Sequence, residues 1–591
     1  MKEKKITGYP SLDKLHDRGF NFLQKHPIIP DISIVNAISM INAFNINDEA
    51  IDNLKFSVSY GEMLNDASII ARSFKELGIK RGDVITVCMN NSYQAILVFL
   101  AANKIGAITT YLNYRASHDE IKYYLNLFES PLYFNFDASM QENQKIKNET
   151  KVKYIVTLNK NDLYNKNFNN NALNMVGYKD FISFSDLGLI SKYYKYPYNI
   201  IYPGNNDALL LYTSGSSGNP KTVVLTNENI MASGIYIKNT INLPQTRSDR
   251  CLSFVPFKYP YGFCTSVLLT LLCGRVVVLT PEGLNKDNAA NILPQIGYYY
   301  GSPALLDVLR NIVPANVDLS KNHTFVTGGD FFTEKTEKNG RDFFLAHNND
   351  KIIFCNGAGN AETVATWSSA VGTKVKPGSV GRILIGSDPI VVSSDTLEEV
   401  KYNQEGTLLI SGKHVFKGYY KDKELTDKEI VYINGKKYYN TRTIGCLDEE
   451  RFFTLTGRES RFYILSDGNK VYCEKIQNFL TLIDGIKSAV VVAKPNDMTR
   501  FSGKAYIVLE DGYIPDKNMI NNIFMQLQNV ICDVTGKKYS LSTFEMPDSI
   551  DFIDFIKLTD ADKIDYKYYE NLAEEEYELE KSHNKKKIYK M

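Results

Sequence analysis

The sequence predicts an α/β protein with at least two domains. Apolar positions at helical spacing between residues 60 and 78 are followed by a buried-strand run at 84–89. A second helical pattern at 93–104 leads into another apolar strand at 107–111. This order is typical of a parallel sheet covered by helices. A length of 591 residues is long for a single hydrophobic core, so we expect more than one domain.

The composition is that of an ordinary globular protein, with 44% hydrophobic and 23% charged residues. The 68 basic and 67 acidic side chains give a net charge of +1, so no overall field favours nucleic acid as a partner. The basic start has no apolar segment behind it and is not a signal peptide. The longest apolar run, at 267–279, is too short to span a bilayer. We therefore predict a cytoplasmic protein without a transmembrane segment.

The eight cysteines are scattered without a C-x-x-C pair, which indicates reduced thiols rather than a disulfide framework or a zinc site. The seven histidines are equally dispersed, so a metal-ligand cluster is not expected. From 141 to 174 the chain is polar and rich in asparagine. Only 154–158 is predicted there as a strand, and the rest as a surface loop.

The most informative stretch runs from 209 to 229, LLLYTSGSSGNPKTVVLTNEN. An apolar strand leads into glycines and small hydroxyl side chains, followed by Lys221. Such a loop can turn backbone N–H groups and hydroxyls toward a polyphosphate, with the lysine supplying charge. A P-loop is excluded because Pro220 stands where the second glycine is needed and offers no N–H. The alternative interpretation is a surface Ser/Gly turn.

This stretch resembles the signature loop of the adenylate-forming (AMP-binding) superfamily, which includes acyl-CoA synthetases, luciferases and peptide-synthetase adenylation domains. The family pattern is Y-T-S-G-[ST]-[ST]-G-x-P-K-G, and here Thr222 replaces the last glycine. The resemblance extends over about residues 55 to 570. It implies a large amino-terminal AMP-binding domain of layered α/β subdomains (1–457), a smaller α+β lid domain (458–570) and a charged tail (571–591).

The resemblance also implies a set of nucleotide-binding residues. The phosphates would be served by Lys221 and by the loop residues Thr213, Ser214, Gly215, Ser216, Ser217 and Gly218. The adenine would lie against two turns, the first formed by Gly328, Gly329 and Asp330 and the second by Asn356, Gly357, Ala358, Gly359 and Ala361. Glu362, which ends the second motif (N-x-Y-G-x-T-E in the family), would hold Mg²⁺ beside the triphosphate. The alternative for Glu362 is a surface carboxylate.

Several positions depart from the family pattern. Ala358 replaces a tyrosine that stacks on adenine, and Ala361 replaces a threonine that contacts phosphate. Together the two losses are expected to weaken nucleotide binding by a few kcal/mol, taking about 1–3 kcal/mol for a lost charge-assisted hydrogen bond plus a stacking loss. Thr443 stands in place of the aspartate that grips both ribose hydroxyls, and Arg442 replaces the preceding glycine. A threonine hydroxyl can make one such bond but lacks the charge of a carboxylate.

Two further residues, one nucleotide-binding and one catalytic, complete the implied site. Arg458 matches the arginine that contacts ribose or phosphate. Lys563 matches the lysine of the last family motif, which bridges the substrate carboxylate and the ribose during adenylation, although Asp562 replaces the preceding glycine. The alternative for Lys563 is an ordinary lysine in a charged tail.

The acid substrate is expected to lie near Tyr259, Gly301 and Ser302. In the family the position of Tyr259 carries a histidine or an aromatic residue that gates the acyl pocket; the alternative is a packed aromatic. The following segment, KYPYGFCTS, holds no aspartate to pair an α-ammonium group. Because a buried ammonium without a partner is costly, the sequence favours a carboxylic acid without an α-amine.

We therefore predict an ATP-dependent carboxylic acid ligase, an acyl-CoA synthetase, in which Lys563, Lys221 and Glu362 are catalytic. The implied cofactors are ATP, Mg²⁺ and coenzyme A, and the implied partner is a small-molecule carboxylic acid. One alternative is a stand-alone enzyme that loads the acyl group onto the phosphopantetheine of an acyl carrier protein. The second, motivated by the departures at Thr222, Ala358, Ala361, Thr443 and Asp562, is a non-catalytic member that binds acyl or nucleotide ligands.

Overall fold

The structure is a computed structural model. It describes residues 7–13, 27–165, 180–194, 200–213, 221–241, 246–329, 332, 334–370, 376, 378–459, 461–466, 470–531, 538–559 and 564–588. Side chains are described in these ranges except for residues 213, 530, 531, 539 and 582–588.

The α-helices are, in chain order, α1 Ile34–Ile41, α2 Tyr60–Glu76, α3 Tyr93–Ile105, α4 His118–Phe128, α5 Met140–Glu149, α6 Leu187–Ile190, α7 Asn227–Ile241, α8 Thr270–Leu272, α9 Lys286–Ile292, α10 Pro303–Ile312, α11 Glu334–Ala346, α12 Lys423–Glu429, α13 Cys473–Leu480, α14 Lys517–Leu527 and α15 Tyr566–Ile588. A π-helix, Tyr261–Leu269, runs directly into α8.

The strands of the large amino-terminal part are β1 Glu49–Asp52, β2 Ser57–Ser59, β3 Val84–Cys88, β4 Ile108–Tyr111, β5 Leu132–Phe136, β6 Tyr154–Leu158, β7 Phe181–Ser183, β8 Asp207–Thr213, β9 Lys221–Thr226, β10 Arg250–Ser253, β11 Val276–Leu279, β12 Tyr298–Gly301, β13 Thr324–Thr327, β14 Ile353–Ala358, β15 Ser368–Ser369, β16 Arg382–Ile383, β17 Asp388–Val392, β18 Glu405–Ser411, β19 Gly418–Tyr419, β20 Ile430–Ile433, β21 Lys436–Leu447 and β22 Phe453–Arg458. The strands that follow are β23 Phe462–Ile464, β24 Lys470–Tyr472, β25 Ile486–Asn496, β26 Arg500–Leu509, β27 Val530–Ile531, β28 Lys538–Tyr539 and β29 Ser549–Phe552.

Two large sheets dominate the amino-terminal part. One has nine strands in the order β16-β15-β14-β13-β12-β10-β11-β1-β2, and the other has eight in the order β19-β9-β8-β4-β3-β5-β6-β7. The central strands of both sheets are parallel, and antiparallel strands occur at their margins. The carboxyl ends of parallel strands meet at one edge of a sheet, where ligands commonly bind in open α/β folds.

Helix α3 lies in the middle of the main hydrophobic core. Its residues from Tyr93 to Asn103 are all buried, so it has no solvent-facing side there. Ser92 caps its first turn, and Gly106 ends it in a left-handed conformation with φ of 73°. The same core includes side chains of both large sheets, such as Val87 and Val277. A helix that is apolar all round is expected between two layers rather than on a surface.

A third sheet is antiparallel, in the order β17-β18-β21-β20. The amino-terminal half of β21 pairs with β20, and its carboxyl-terminal half pairs with β22. Strand β19 lies in the same stretch of chain but pairs with β9 of the eight-stranded sheet. After β22 come a hairpin of β23 and β24 and a three-stranded sheet of β25, β26 and β29. The latter forms a separate apolar core with α13 and α14. The predicted domain limits at 457 and 570 remain predictions, and the second lies within helix α15.

The prediction of a loop over most of 141–174 is wrong for its first part. Helix α5 occupies Met140–Glu149 and begins with a capping box, in which Ser139 and Glu142 each accept from the other's backbone N–H. The helix buries only Asn143 and Ile146, so its apolar periodicity is too weak to predict it. The strand predicted at 154–158 is β6.

Candidate functional site

Lys221 is the first residue of β9 and lies opposite Thr213, the last residue of β8. The ladder between these strands therefore fixes both ends of the signature loop. The loop residues Ser214, Gly215, Ser216, Ser217 and Gly218 lie outside the described residues, as does the side chain of Thr213. The Nζ atom of Lys221 lies 3.8 Å from Oε1 of Glu429 and 5.7 Å from the ring centroid of Tyr419.

Glu362 lies in a single 3-10 turn directly after β14 and is only 7% exposed. Its Oε1 atom accepts a hydrogen bond of 2.7 Å from the hydroxyl of Tyr419, and its backbone oxygen accepts from the N–H of Phe416 at 2.8 Å. Burial raises the pKa of Glu362 above its ordinary value, although the Tyr419 hydroxyl and the charge of Lys221 act in the opposite direction. This carboxylate is therefore not a surface group.

Two chain segments bring Glu362 and Lys221 to the same place. Strand β19 pairs with β9, and this places Tyr419 beside the strand that begins with Lys221. From the third sheet, Tyr439 accepts a hydrogen bond of 3.0 Å from the amide of Asn360. The nine-stranded sheet contributes Glu362, the eight-stranded sheet Lys221 and the third sheet Tyr439. The site thus lies where the three sheets meet.

The two glycine turns predicted to face adenine approach each other. An added Cβ on Gly328 would lie 3.2 Å from the backbone oxygen of Gly357. On Gly359 it would lie 1.8 Å from the oxygen of Ala365, which no side chain can tolerate. Asn356 and Ala358 lie on β14, and Ala361 begins the turn that carries Glu362, whereas Asp330 is outside the described residues. The glycine at 359 is therefore required by backbone packing whether or not a base is bound.

The predicted ribose position is occupied differently from the family pattern. Thr443 is 7% exposed, and its hydroxyl donates to the backbone oxygen of Thr441 at 3.2 Å. Thr443 and Arg458 are register partners on β21 and β22. The Arg458 side chain is exposed, and its backbone N–H donates to Glu474 at 3.1 Å. The Thr443 hydroxyl is thus already engaged by its own strand.

Arg442, the neighbour of Thr443, is the centre of an ion-pair network. Its backbone has φ of 56°, a left-handed value that a glycine adopts at lower cost. Its Nε donates to Glu429 at 2.9 Å and its Nη1 to Glu459 at 2.8 Å. Burial would lower the pKa of Arg442, but these two carboxylates outweigh it and hold the pKa above its ordinary value. The arginine thereby neutralises two acidic groups in the site.

The predicted acyl-pocket residues lie at the carboxyl edge of the nine-stranded sheet. Tyr259 follows β10 and is half-buried, with Nζ of Lys258 5.0 Å from its ring centroid. Gly301 ends the neighbouring β12, and Ser302 directly precedes α10. Because β10 and β12 are adjacent and parallel, the two loops leave the sheet on the same side.

A cavity of about 540 Å³ opens beside the loop that follows β10. It lies at the carboxyl ends of β3, β4, β5, β10 and β11 and includes the basic side chains Arg115, Lys160 and Lys258 in its lining. Asn113, another lining residue, donates its backbone N–H to the hydroxyl of Tyr212 at 3.1 Å. Tyr212 directly precedes the last residue of β8, so the cavity adjoins the base of the signature loop.

The described residues bring together many of the predicted site residues but not all of them. Lys563 lies outside the described ranges. Sequence reasoning missed Tyr419, Tyr439 and Glu429. Glu429 lies in the charged run KDKELTDKE, which is indistinguishable in sequence from a solvated helix. No sequence signal distinguished it from its exposed neighbours.

Within the described ranges, no group of three or more His, Cys, Asp or Glu side chains could hold a metal ion. Seven described cysteines are free thiols. A search of the described helices finds none that is long and apolar enough to cross a membrane.

The profile of the AMP-binding enzyme family matches residues 42–420. The chain belongs to this family, as the signature loop predicted. An acyl-CoA ligase of Ajellomyces capsulatus is 24% identical over 483 residues, which cover 78% of this chain and 79% of that relative. A D-alanine–D-alanyl carrier protein ligase of Streptococcus pneumoniae is 24% identical over 385 residues, which cover 63% of this chain and 72% of that relative.

The fold is similar to that of solved adenylate-forming proteins. The crystal structure of ATP-bound MatB from Rhodopseudomonas palustris matches with a TM-score of 0.76 and 19% identity, covering 92% of this chain and 99% of that one. The predicted α/β fold class is confirmed. The chain is therefore an AMP-binding enzyme whose fold is similar to that of this solved structure.

Proposed function

We propose that this protein is an ATP-dependent carboxylic acid ligase of the acyl-CoA synthetase type. The observation that carries the proposal is the meeting of a buried carboxylate, Glu362, with Lys221 at the base of the signature loop. A cation at the start of β9 and an anion 7% exposed suit a site for a polyphosphate and its divalent ion. The acyl-CoA ligase among the relatives supports coenzyme A as the thiol that accepts the acyl group.

Glu362 fits the requirements of a magnesium ligand. Mg²⁺ in nucleotide sites is bound through one or two carboxylates together with substrate phosphates, rather than by an all-protein cage. Glu362 would hold the ion, which would neutralise phosphate charge, and Tyr419 would orient the carboxylate through its hydrogen bond.

The proposed reaction has two steps. A carboxylate oxygen of the acid attacks the α-phosphorus of ATP, the bond from that phosphorus to the β-phosphate bridge breaks, and pyrophosphate leaves. A thiolate then attacks the acyl carbon, and AMP leaves with the electron pair of its bond to that carbon. Little covalent chemistry falls to the protein, so catalysis rests on positioning and charge neutralisation.

We assign the individual roles as follows. Lys221 and the residues at 213–218 serve the phosphates, the glycine turns at 328–330 and 356–361 lie against the base, and Thr443 and Arg458 lie beside the ribose. Lys563 serves the adenylation step, from a lid domain that begins at residue 458. Tyr259, Gly301 and Ser302 border the acid. The cavity beside them is lined by three basic and two acidic side chains, the latter Asp137 and Glu282, and so suits a polar second substrate such as coenzyme A.

Pyrophosphate release tests this proposal. The full-length chain with MgATP and a panel of fatty and aryl acids should release pyrophosphate, and coenzyme A should convert the adenylate to a thioester detectable by mass spectrometry. The matched variant Lys221→Met should lower release while leaving the fold intact by circular dichroism. If no acid gives pyrophosphate release and calorimetry detects no ATP binding, the proposal is wrong.

A carrier-protein acceptor is the second candidate, and the carrier protein ligase among the relatives favours it. The two are separated by the second half-reaction alone. Transfer of a radiolabelled acyl group to a phosphopantetheinylated carrier protein, without transfer to coenzyme A, would establish this alternative. Pyrophosphate release without transfer of the acyl group to coenzyme A or to the carrier protein would contradict both candidate functions.

A further inference from the structure

Glu429 is the only buried residue of helix α12, whose other residues are at least partly exposed. It is 6% exposed and lies at the carboxyl end of the helix, where the chain enters β20. A buried carboxylate is costly unless cations compensate its charge. Two cations do so here: one carboxylate oxygen faces Lys221 at 3.8 Å, and the other accepts from Arg442 at 2.9 Å.

The two contacts are unequal. Arg442 has a second carboxylate partner in Glu459, so its charge is shared between two acids. Glu459 is itself held by the hydroxyl of Thr407 at 2.8 Å. Lys221 has a longer contact to Glu429 and its ammonium also faces the ring of Tyr419. The Lys221 contact is therefore the one that an incoming anion can displace at the lower cost.

We propose that Glu429 is an internal competitor for the phosphate-binding lysine and thereby sets the preference of the site between nucleoside triphosphate and monophosphate. The inference rests on the proposed function of the same site. In the proposed site, where Lys221 serves the β- and γ-phosphates, a triphosphate would take Lys221 from Glu429, whereas AMP lacks both of these phosphates and would leave the contact in place. Glu429 thus weakens the binding of triphosphate and pyrophosphate and leaves that of AMP unchanged.

The same competition has a consequence for turnover. Once the α–β bridge bond has broken, pyrophosphate and Glu429 compete for one ammonium group. Recapture of Lys221 by Glu429 then favours departure of pyrophosphate while the adenylate stays bound. Glu429 is a specificity-determining residue in this scheme, since it contacts no reacting atom.

The test compares three substitutions in the full-length protein by calorimetry in the presence of Mg²⁺. Glu429→Gln removes the competing charge, and Glu429→Asp retracts it by one methylene. Glu459→Gln is the matched control, because it removes the other carboxylate on Arg442 without contacting Lys221. The probes are AMP, inorganic pyrophosphate and an ATP analogue with a methylene between the α- and β-phosphorus.

For Glu429→Gln we expect the analogue and pyrophosphate to bind about 10-fold tighter, while the affinity for AMP stays within about 2-fold. Glu429→Asp should shift these affinities in the same direction by less, and Glu459→Gln should leave their ratio unchanged. In a Lys221→Met background, Glu429→Gln should not change these affinities, because the ammonium group for which Glu429 and phosphate compete is absent.

The inference would be overturned by weaker pyrophosphate binding by Glu429→Gln, by an equal gain for AMP and the analogue, or by a gain that persists without Lys221. Lack of measurable pyrophosphate binding in every variant would also overturn it. The pyrophosphate arm does not depend on adenylation. A protein that releases no pyrophosphate from ATP with any acid, yet binds pyrophosphate tighter as Glu429→Gln, would fail the proposed function and support this inference.

Discussion

The hydroxyl of Tyr419 lies 2.7 Å from a carboxylate oxygen of Glu362, and both side chains are buried. The contact joins a turn of the nine-stranded sheet to a margin strand of the eight-stranded sheet. It also stabilises the ionised form of a carboxylate whose burial favours the protonated form. This one hydrogen bond therefore links the position of Glu362 to its charge.

Replacing Tyr419 by phenylalanine tests this link. Loss of the hydroxyl should raise the pKa of Glu362 further, because the hydrogen bond lowers it in the wild-type protein. If ionised Glu362 is required for metal binding, the acidic limb of the pH profile of pyrophosphate release should move up by about 0.5–1 pH unit. Tyr420→Phe, which removes the neighbouring hydroxyl, is the control. Identical profiles for both variants would contradict the assignment.

Replacing Glu362 by glutamine should separate activity from stability. Pyrophosphate release should fall about 100-fold or more, because a neutral amide is a poor ligand for Mg²⁺. The folded protein should be no less stable at pH 8, since a buried charge has been removed. Asp448→Asn, at a half-buried carboxylate directly after β21 of the third sheet, is a control for loss of an acid alone.

The difference in unfolding free energy between the wild-type protein and Glu362→Gln should change with pH in one direction. The folded-state pKa of Glu362 lies above its ordinary value of 4.5, so the folded state favours the protonated form. The wild-type protein should therefore lose stability relative to the variant as pH rises from 4.5 through the folded-state pKa. Below this window the gap should close. Thermal unfolding of both proteins between pH 4.5 and pH 8 measures it, and a gap that widens toward low pH would be the contrary result.

Restoring the ribose carboxylate at position 443 should strengthen nucleotide binding. In the present chain the Thr443 hydroxyl is engaged by the backbone of Thr441. Thr443→Asp should bind AMP and ATP about 10-fold tighter than Thr443→Asn, since only a charged carboxylate accepts from both ribose hydroxyls with full strength. Calorimetric titration of the two variants with AMP is the measurement. Equal affinities would show that the substituted position is not the deficit.

His414 gives a prediction about acid sensitivity. It is fully buried, and burial lowers its pKa from 6.5 to about 3. The stability that it contributes is complete above pH 6.5 and is lost as pH falls from 6.5 toward 3, because the unfolded state binds the proton first. Between pH 7 and pH 5 the wild-type protein should lose about 2 kcal/mol more unfolding free energy than His414→Gln. Urea unfolding at the two pH values measures the difference, and parallel losses would refute the assignment.

The carboxy-terminal helix α15 is held by buried lysines. Glu576 lies 3.0 Å from Lys504 and 3.6 Å from Lys494, and both lysines are buried in the sheet of β25 and β26. Glu576→Gln should destabilise this part of the chain by about 1–3 kcal/mol, because it leaves buried ammonium groups with fewer partners. Glu575→Gln, at an exposed position of the same helix, should have little effect. Limited proteolysis of α15 compares the two variants, and equal cleavage rates would argue against a stabilising role for the contacts of Glu576 with Lys504 and Lys494.

The fold class and family were predictable because they depend on local patterns. Buried runs such as 84–88 are apolar whatever their neighbours, and the signature motif is contiguous in sequence. The predicted AMP-binding family is confirmed by the family match, and an acyl-CoA ligase is among the relatives of this chain. Helix α5 was not predictable from periodicity, since only two of its side chains are buried, although its capping box was readable in the sequence.

The electrostatics of the candidate site could be predicted only in part. Glu362 was found because it belongs to a motif. Its hydrogen-bond partner Tyr419 and its charged neighbour Glu429 come from segments about 60 residues away in sequence. Their roles depend on how three sheets meet, and no local pattern records that. The ion-pair network of Arg442 likewise could not be inferred from the substitution alone, because the same change could have left the guanidinium in solvent.

The segment from Phe416 to Tyr419 determines the spacing between the two charged halves of the site. Its backbone N–H at one end holds the main chain of Glu362, and its other end is laddered to the strand that begins with Lys221. A one-residue deletion within it would turn Tyr419 to the opposite face of the ladder. Tyr259 and residues 301–302, which we propose border the acid, lie outside this ladder. Substrate range can thus change by substitution in those loops while the spacing between phosphate and metal ligands is conserved.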